Sequence, residues 1–275
     1  MTYRELLNKY KDHEDIEIDA IYFLIEEDCH VSRSSLLVGL DRVIENDKLL
    51  KDIDTYVNNR VPVQYIMGYT YFYKDKFKVN NNVLIPRFDT EVLVDQALEI
   101  MDEYSNPAIV DVGTGSGCIA ITLKKYGKKC TMDAIDISSG ALMVARENAE
   151  LLGADVNFIQ NDLFTNIDKK YDIIVSNPPY IEDRTRVQEI VKENEPSIAL
   201  YSEDLYHYKK IIDASLRILN EKGAIIFEID DDIFIKLKKY VKKYYNNIDV
   251  LKDYNGIKRV MIIKKRWLKC VKQFI

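Results

Sequence analysis

The chain has 275 residues, which is long enough for one large domain and a small accessory one. Hydrophobic residues make up 47% of it and charged residues 31%, a composition typical of globular proteins. Its formal net charge of −6 argues against a protein that coats nucleic acid, and its N-terminus lacks the pattern of a secretory signal. Apolar runs such as Ala20–Ile25 are too short to span a bilayer.

Helical periodicity dominates the first 60 residues. Leu6, Leu7 and Tyr10 recur at helical spacing, and Ser32 fits the N-cap of a third helix. We therefore predict a small helical domain over residues 1–68, which by itself indicates no function. The predicted helices are residues 2–13, Ile16–Asp28, Ser34–Glu45 and Lys48–Asn58.

A short segment with strand-forming residues follows Pro62 and Gly68. Tyr69–Tyr73 and Lys76–Val79 are rich in aromatic and β-branched residues and are separated by a Lys-Asp turn. This pattern predicts a β-hairpin connector over residues 69–85, between the helical domain and a second domain over residues 86–275.

From Pro86 onward, short apolar strands alternate with helices. This alternation predicts a doubly wound α/β domain with a mainly parallel seven-stranded sheet that is covered on both faces. The last two strands are joined by the short segment Asp253–Ile257, which includes Asn255-Gly256 and predicts an antiparallel edge hairpin. The predicted strands are Ala108–Val112, Cys130–Ile135, Asn157–Gln160, Tyr171–Val175, Ala224–Glu228, Ile248–Lys252 and Lys258–Lys264, and the predicted helices are Asp89–Tyr104, Gly117–Tyr126, Ser138–Leu152, Leu205–Leu219 and Asp231–Tyr245.

A glycine-rich loop, Asp111–Gly117, joins the first of these strands to a helix. Glycines at 113, 115 and 117 let the backbone turn sharply and let a ligand approach the main chain. A dinucleotide fingerprint would need glycine where Cys118 stands, and a phosphate-binding P-loop would need Gly-Lys-Ser/Thr. The spacing resembles the first motif of class I methyltransferases, whose ligand S-adenosylmethionine carries an ammonium group.

Acidic residues follow the next two strands. The Asp136 carboxylate can accept hydrogen bonds from both ribose hydroxyls. Asp162 is positioned to face the adenine amino group, with Leu163 or Phe164 against the ring. A lone aspartate at such a place is often only a helix N-cap or a turn residue, and the glycine loop upstream favours the cofactor interpretation.

The tetrapeptide Asn177-Pro178-Pro179-Tyr180 directly follows an apolar strand. An amide or aromatic amino nitrogen is a poor nucleophile because its lone pair is delocalised. The Asn177 side-chain carbonyl and the Pro178 main-chain carbonyl can accept both N–H bonds of such an NH₂ group, and Tyr180 can lie against its plane. We predict that catalysis is positioning and electrostatics. Two prolines can also be a purely structural turn, and the motif alone would equally suit adenine or cytosine.

The whole chain is similar to the release factor glutamine methyltransferase family, which methylates the side-chain amide of the glutamine in the Gly-Gly-Gln motif of peptide chain release factors. The Leu84–Glu91 segment matches the family's Ile-Pro-Arg-x-Asp-Thr-Glu motif. The other matching segments are Pro62–Gly68, Asp111–Gly117, Asp136, Ser176–Tyr180, Glu195-Pro196 and Asp253–Val260.

The resemblance implies a role for each matching residue. Asn177, Pro178 and Tyr180 would be catalytic, and Arg87 would belong to a lid over the site. Asp89 or Thr90 could instead be the N-cap of the next helix. The resemblance implies cofactor contacts for Gly113, Thr114, Gly115, Ser116, Gly117, Asp136 and Asn177, and substrate contacts for Asn177, Pro178, Pro179, Tyr180 and Arg87. Asp162 and Leu163 are added to the cofactor contacts because of their place after the third strand.

Some positions depart from the family pattern. Leu163 stands where some relatives have an aromatic residue, Glu228-Ile-Asp230 replaces Glu-Ile-Gly, and Ser202-Glu-Asp204 lacks a glycine. The basic tail Lys264–Lys272 extends past the resemblance. A solvated tail is the ordinary interpretation, and contact with RNA or the ribosome is the alternative.

The sequence leaves several functions open. Besides a release factor methyltransferase, it could be an enzyme acting on a ribosomal-protein glutamine, a DNA or RNA amino-methyltransferase, or an inactive S-adenosylmethionine-binding module. We favour the first: a monomeric cytoplasmic enzyme whose partners are class 1 release factors, with no membrane or direct nucleic-acid substrate. Four scattered cysteines, Cys29, Cys118, Cys130 and Cys270, indicate free thiols, and we expect no metal.

Overall fold

The computed structural model describes residues 1–253 and 256–265. Most of the predicted basic tail, from Arg266 onward, lies outside the described residues, as does Asn255 of the predicted edge turn. The chain forms two compact units. One consists of Met1–Tyr69 together with Gln188–Asn194, and the other of Thr70–Val187 together with the described residues from Glu195 onward.

The first unit is helical. Leu24, Leu49 and Ile53 are among the buried side chains of its single core. Ser32 accepts a hydrogen bond from the Ser35 N–H group, which confirms the predicted N-cap. The helices of residues 1–69 are α1 (Tyr3–Tyr10), α2 (Ile18–Cys29), α3 (Arg33–Val38), α4 (Asp47–Asn58) and α5 (Val63–Met67).

The prediction of a long third helix, Ser34–Glu45, was wrong. Helix α3 ends at Val38, where Gly39 is the C-cap. Glycine is a poor helix former, and the following backbone groups bond to the start of the chain instead. The Arg4 N–H donates to the Leu40 carbonyl, and Val43 pairs with Thr2 in an isolated β-bridge. Helix α5 was not predicted as a helix, although Pro62 and Gly68 are its two caps.

A segment from the second half of the sequence belongs to the helical unit. Helix α9 (Glu189–Asn194) places Ile190 against the helical core. The Asn194 side-chain amide donates to the Arg60 carbonyl at 2.7 Å, and that of Gln188 donates to a Glu17 carboxylate oxygen at 3.3 Å. The sequence analysis assigned no element here.

The second unit contains the two sheets. The predicted hairpin is confirmed as β1 (Tyr69–Phe72) and β2 (Asp75–Lys78). The seven-stranded sheet has the order β5-β4-β3-β6-β7-β9-β8, in which β9 runs antiparallel to β7 and β8 and the other neighbouring strands are parallel. The predicted architecture is therefore confirmed. The strands are β3 (Ala108–Val112), β4 (Thr131–Asp136), β5 (Asn157–Gln160), β6 (Tyr171–Ser176), β7 (Leu219–Glu228), β8 (Ile248–Lys252) and β9 (Lys258–Lys264).

Alternate strand residues enter two separate cores. Ile109 and Ile173 belong to one core, while Val110 and Ile174 belong to the other. This two-residue period is the reason why the strands are apolar on both faces. The helices of this unit are α6 (Asp89–Met101), α7 (Cys118–Tyr126), α8 (Ser139–Leu152), α10 (Ser197–Leu200), α11 (Tyr206–Ile218) and α12 (Asp231–Val241).

Some element boundaries differ from the prediction. Strand β7 begins at Leu219, five residues earlier than predicted, because the chain passes directly from α11 into the strand. Helix α6 ends at Met101 and α12 at Val241, earlier than their apolar patterns indicated. Turns follow both helices, and Tyr245 still packs in the core beyond the end of α12.

Candidate active site

The predicted motifs leave the sheet at the same edge, which is formed by the carboxyl ends of the parallel strands. Strands β3, β4, β6 and β7 are parallel, and their carboxyl ends carry the glycine loop, Asp136, Asn177 and Glu228. Asp111 is aligned with Val175, so the glycine loop and the Asn-Pro-Pro-Tyr segment emerge from adjacent strands. In open α/β sheets, this edge is where ligands bind.

The glycine loop has a left-handed backbone that suits glycine. Gly113, Gly115 and Gly117 have φ of 73°, 56° and 82°. A Cβ on Gly115 would meet no heavy atom within 4 Å among the described residues, whereas one on Gly117 would lie 2.8 Å from the Ile121 side chain. Gly115 is thus required by backbone conformation, and Gly117 by conformation and close packing.

Asp136 holds this loop in place. One carboxylate oxygen accepts a hydrogen bond from the Gly115 N–H at 2.9 Å, and the other accepts one from the Ser138 N–H at 2.9 Å. Burial raises the pKa of the Asp136 carboxyl. The structure therefore brings together the glycine loop and the acidic residue that the sequence analysis assigned to the same ligand.

Asp111 is buried beneath the loop. Its Oδ2 accepts a hydrogen bond from the Thr114 hydroxyl at 2.6 Å, and its Oδ1 has no hydrogen-bond partner among the described residues. Burial raises the pKa of the Asp111 carboxyl to about 7. The side chains of Thr114 and Ser116 are also buried, at 4% and 2% exposure, so they support the loop from inside.

The third predicted cofactor segment follows β5. Asp162 is exposed, and Leu163 is partly buried with a φ of 49°. Phe164 packs in the core with its ring centroid 6.3 Å from that of Tyr171. The Asn161 N–H donates to the Asp136 carbonyl at 3.0 Å, which ties this segment to the neighbouring strand. Of the two residues considered against adenine, Leu163 is therefore the candidate.

The Asn-Pro-Pro-Tyr segment is anchored at its base. The Ser176 hydroxyl donates to the Val112 carbonyl at 2.6 Å and ties β6 to β3. The side-chain NH₂ of Asn177 donates to the Thr90 hydroxyl at 3.3 Å. Pro178 is buried, while Pro179 and Tyr180 are partly buried, and burial raises the pKa of the Tyr180 hydroxyl.

Thr90 and Asp89 take roles that the sequence analysis did not assign. The N-cap of α6 is Phe88, so the N-cap alternative for these two residues was wrong. Thr90 is 3% exposed and contacts Asn177, while Asp89 pairs with Arg259 at 2.9 Å. The signal that could have found Thr90 was its place in the Leu84–Glu91 motif.

Glu228 is a further residue that the sequence analysis did not place in the site. It ends β7 and is 3% exposed, and its burial raises the pKa of the carboxyl to about 7. The neighbouring Thr90 and Asn177 side chains lower this pKa and so oppose the effect of burial. The sequence pattern that could have revealed Glu228 was a carboxylate directly after an uninterrupted run of apolar residues in a predicted strand.

Arg87 is held at the base of its loop by a buried carboxylate. Its guanidinium pairs with Glu195, which is 5% exposed and also accepts a hydrogen bond from the Ile85 N–H at 3.2 Å. Phe88, the next residue, is 76% exposed. The two segments that resemble the family at Leu84–Glu91 and Glu195-Pro196 are thus in direct contact.

A cavity of about 370 Å³ lies beside Tyr180. Its wall combines apolar and charged side chains, among which Arg186 pairs with Asp232, and Lys236 with Glu182. The lining residues are Tyr180, Ile181, Glu182, Asp183, Arg186, Val187, Asp230, Asp232, Ile233 and Lys236.

Three further observations concern possible metal ligands, membrane-spanning helices and cysteines in the described residues. Residues 1–253 and 256–265 contain no group of three His, Cys, Asp or Glu side chains arranged to hold a metal ion. None of the helices in these residues is long and apolar enough to cross a membrane. Cys29, Cys118 and Cys130 are free, and Cys270 lies outside the described residues.

Comparisons with known proteins agree with this geometry. The family model of the methyltransferase small domain matches residues 88–260. A release factor glutamine methyltransferase of Bacillus subtilis is 40% identical over 89% of this chain and 90% of its own length. One of Flavobacterium psychrophilum is 35% identical over 91% of this chain and 93% of its own. The chain belongs to the release factor glutamine methyltransferase family.

Membership makes this chain a methyltransferase and confirms the resemblance found in the sequence. Solved structures support the fold independently. A methyltransferase from Pyrococcus furiosus has a TM-score of 0.54 at 13% identity, over 80% of this chain and 97% of that chain. A 16S rRNA methyltransferase from T. thermophilus also has a TM-score of 0.54, at 14% identity, over 72% of this chain and 50% of that chain.

Proposed function

We propose that this protein transfers a methyl group from S-adenosylmethionine to the side-chain amide nitrogen of the glutamine in the Gly-Gly-Gln motif of class 1 peptide chain release factors. The observation that carries the proposal is the orientation of Asn177. Its NH₂ group faces Thr90, which leaves its carbonyl oxygen able to accept an N–H bond from a substrate amide.

The residues of the glycine loop fit the cofactor. Backbone space at Gly113 and Gly115 allows close approach, and the orphaned Asp111 Oδ1 is a suitable acceptor for a cationic N–H group. Asp136 would accept from the ribose hydroxyls, and Leu163 would lie against the adenine. When bound, the sulfonium of S-adenosylmethionine supplies an electrophilic methyl carbon.

The protein's contribution to methyl transfer is to position the amide. Asn177 Oδ1 and the Pro178 carbonyl would accept its two N–H bonds, and Tyr180 would lie against its plane. This arrangement turns the nitrogen lone pair toward the methyl group and replaces a bimolecular encounter by a fixed geometry. As the nitrogen–methyl bond forms, the methyl–sulfur bond would break and leave the sulfur as a neutral thioether. The N–H proton becomes acidic only after the nitrogen carries the methyl group, so attack requires no strong base and the proton would then pass to water.

Recognition of the release factor would involve the rest of the chain. We assign residues 1–68 to substrate recognition, residues 69–85 to the connector and residues 86–275 to catalysis. The cavity beside Tyr180 offers room for residues that flank the target glutamine, because Tyr180 belongs to both the cavity wall and the substrate cradle. Arg87, held by Glu195, would close over the bound peptide.

The test is methyl transfer from labelled S-adenosylmethionine to purified substrates. Label should enter a class 1 release factor and should be lost when its motif glutamine is changed to alanine. Ribosomal proteins and duplex DNA should remain unlabelled. Incorporation into DNA or into a ribosomal protein, with none in the release factor, would contradict the proposal.

A further inference from the structure

The buried carboxyl of Glu228 adjoins the side chain of Asn177. Glu228 ends β7, Asn177 follows β6, and Thr90 lies in the first turn of α6. Asn177 donates to Thr90 at 3.3 Å. Ser176 is aligned with Phe227, so Asn177 and Glu228 are neighbours at the ends of adjacent strands. The Thr90 and Asn177 side chains lie close enough to the Glu228 carboxyl to lower its pKa. Its Oε2 has no hydrogen-bond partner in the part of the chain that the structure describes.

A buried carboxyl with incomplete hydrogen bonding is costly. Leaving a charged group unsatisfied costs several kcal/mol, and an apolar side chain of similar volume would stabilise this position better. Perturbed carboxyls of this kind concentrate in functional sites. The position of Glu228 at the ligand-binding edge of the sheet therefore calls for a role other than stability.

The chemistry of an amide explains what the carboxyl does. The side chain of Asn177 has a donor end and an acceptor end, and only the donor end interacts favourably with a carboxylate. Rotating the amide by half a turn would place its Oδ1 against the Glu228 carboxylate, where two acceptors repel each other. The carboxyl thus selects the rotamer in which Oδ1 faces away from β7.

We propose that Glu228 is a positioning residue that, together with Thr90, fixes the Asn177 amide so that its oxygen is presented to the substrate NH₂ group. This inference rests on the proposed function, in which Asn177 holds the target amide. Glu228 itself contacts neither substrate nor methyl group, so it acts on the rate through the orientation of another side chain.

The groups around Glu228 determine whether its carboxyl is ionised or neutral. Burial is the main cause of its raised pKa, which Asp89 raises further and Arg259 lowers. The neighbouring Cys118 thiol and Tyr180 hydroxyl have raised pKa values, so both are neutral near pH 7. Asp230 also lies close enough to Tyr180 to raise the pKa of its hydroxyl.

The Tyr208 hydroxyl, whose pKa burial also raises, donates to the Glu228 main-chain carbonyl at 2.7 Å. Glu228 therefore titrates near pH 7, as does Asp111 beneath the glycine loop. The ionised form of Glu228 is the stronger acceptor for the Asn177 NH₂ group. The orientation of Asn177 should be most strictly held above that pH.

The experiment compares Glu228→Gln, which keeps an acceptor but cannot ionise, with Glu228→Met, which has neither property. Thr90→Val removes the bridging hydroxyl. Asp133→Asn is the matched control, because Asp133 is 2% exposed on β4 and accepts hydrogen bonds from Asn157, Lys169 and Tyr171. For each folded variant we would measure kcat and KM for a release factor, the Kd for S-adenosylmethionine and the pH profile of kcat.

We expect Glu228→Met to lower kcat about 100-fold while KM and Kd change less than about 3-fold, as for a misplaced catalytic group. Glu228→Gln should retain kcat within about 10-fold and lose the wild-type decline of kcat between about pH 8 and pH 6. The kcat of Thr90→Val should lie between those of the two Glu228 variants. Asp133→Asn should keep the wild-type kcat and pH profile.

Two outcomes would overturn the inference. One is a Glu228→Met enzyme with the kcat of Asp133→Asn, and the other is an unchanged acid decline in Glu228→Gln, which would assign that titration to Asp111. If Glu228→Met does not fold, the inference is tested by the pH profile of kcat for Glu228→Gln alone. A wild-type protein that leaves the release factor unmethylated would instead refute the proposed function, so the two failures are distinguishable.

Discussion

The guanidinium of Arg259 lies 2.9 Å from the carboxylate of Asp89 and joins β9 to the first residue of α6. Arg259 also contacts Asp253 at 2.9 Å, and its side chain is only 15% exposed. Because Thr90 follows Asp89 directly, this ion pair fixes the turn that carries the Thr90 hydroxyl toward Asn177. Two segments that are distant in the sequence therefore determine one side of the proposed catalytic cradle.

Loss of this ion pair should slow methyl transfer. We expect Arg259→Met to lower kcat about 10-fold, because the start of α6 and with it Thr90 would shift. Stability should fall by only about 1–2 kcal/mol, since Asp89 is half exposed and water screens the pair. The control is Lys128→Met, which removes the ion pair of Lys128 with the exposed Asp102, at the opposite end of α6 from Asp89, and should leave kcat unchanged. Equal kcat values for the two variants would contradict the prediction.

Changes at Asn177 should affect turnover far more than cofactor binding. Asn177→Ala removes the acceptor for the substrate N–H, and Asn177→Asp keeps acceptors but places a second carboxylate beside Glu228. We expect both to lower kcat at least about 100-fold, with the Kd for S-adenosylmethionine changed less than about 5-fold by calorimetry. Near-wild-type turnover in Asn177→Ala would rule out the cradle.

Glycine 115 should be required for cofactor affinity rather than for folding. Gly115→Ala and Gly153→Ala introduce a Cβ at φ of 56° and 67°, and neither Cβ meets a heavy atom within 4 Å in the described chain. Each should therefore cost about 1 kcal/mol of folding free energy. Only Gly115→Ala should weaken S-adenosylmethionine binding, by about 10-fold or more. Equal affinities for S-adenosylmethionine in the two variants would contradict a role of the glycine loop in cofactor binding.

Filling the cavity beside Tyr180 should weaken peptide binding. Val187 lines the cavity, and we expect Val187→Trp to raise KM for a release factor about 5- to 10-fold through steric exclusion, with an unchanged Kd for S-adenosylmethionine. Ile235→Trp is the matched control, because Ile235 is 77% exposed on α12 and does not line the cavity. An unaltered KM in Val187→Trp would exclude the cavity from substrate binding.

Two buried carboxyls should make the protein less stable as the pH rises. Asp111 and Glu228 have folded-state pKa values of about 7, above their ordinary values of 3.8 and 4.5. Between these values and pH 7 the folded state binds more protons than the unfolded state, so stability falls with increasing pH. Glu228→Gln removes one buried charge, and its midpoint of thermal unfolding should exceed that of the wild type by more at pH 8.5 than at pH 5.5. A difference in unfolding midpoint between Glu228→Gln and the wild type that is equal at both pH values would contradict this prediction.

Local patterns in the sequence were sufficient for most of the fold. The apolar strands, the hairpin and the glycine loop could be predicted because neighbouring residues determine backbone preference and the period of burial. The third helix could not, because Gly39 ends it and the next residues pair with the start of the chain. Helix α9 was missed because its partners, such as Arg60, lie far away in the sequence.

The sequence by itself determined the family, through motifs that resemble those of release factor glutamine methyltransferases. It also located the two candidate site motifs, because glycine and proline restrict the backbone locally and leave recognisable spacings. Only the tertiary structure decided which side chains support Asn177. In the sequence, Glu228 is only a polar residue after an apolar run, and it is the strand order β3-β6-β7 that places it beside Asn177 and near Thr90. Hydrogen bonds between distant elements depend on strand order and register, which no short segment of the chain specifies.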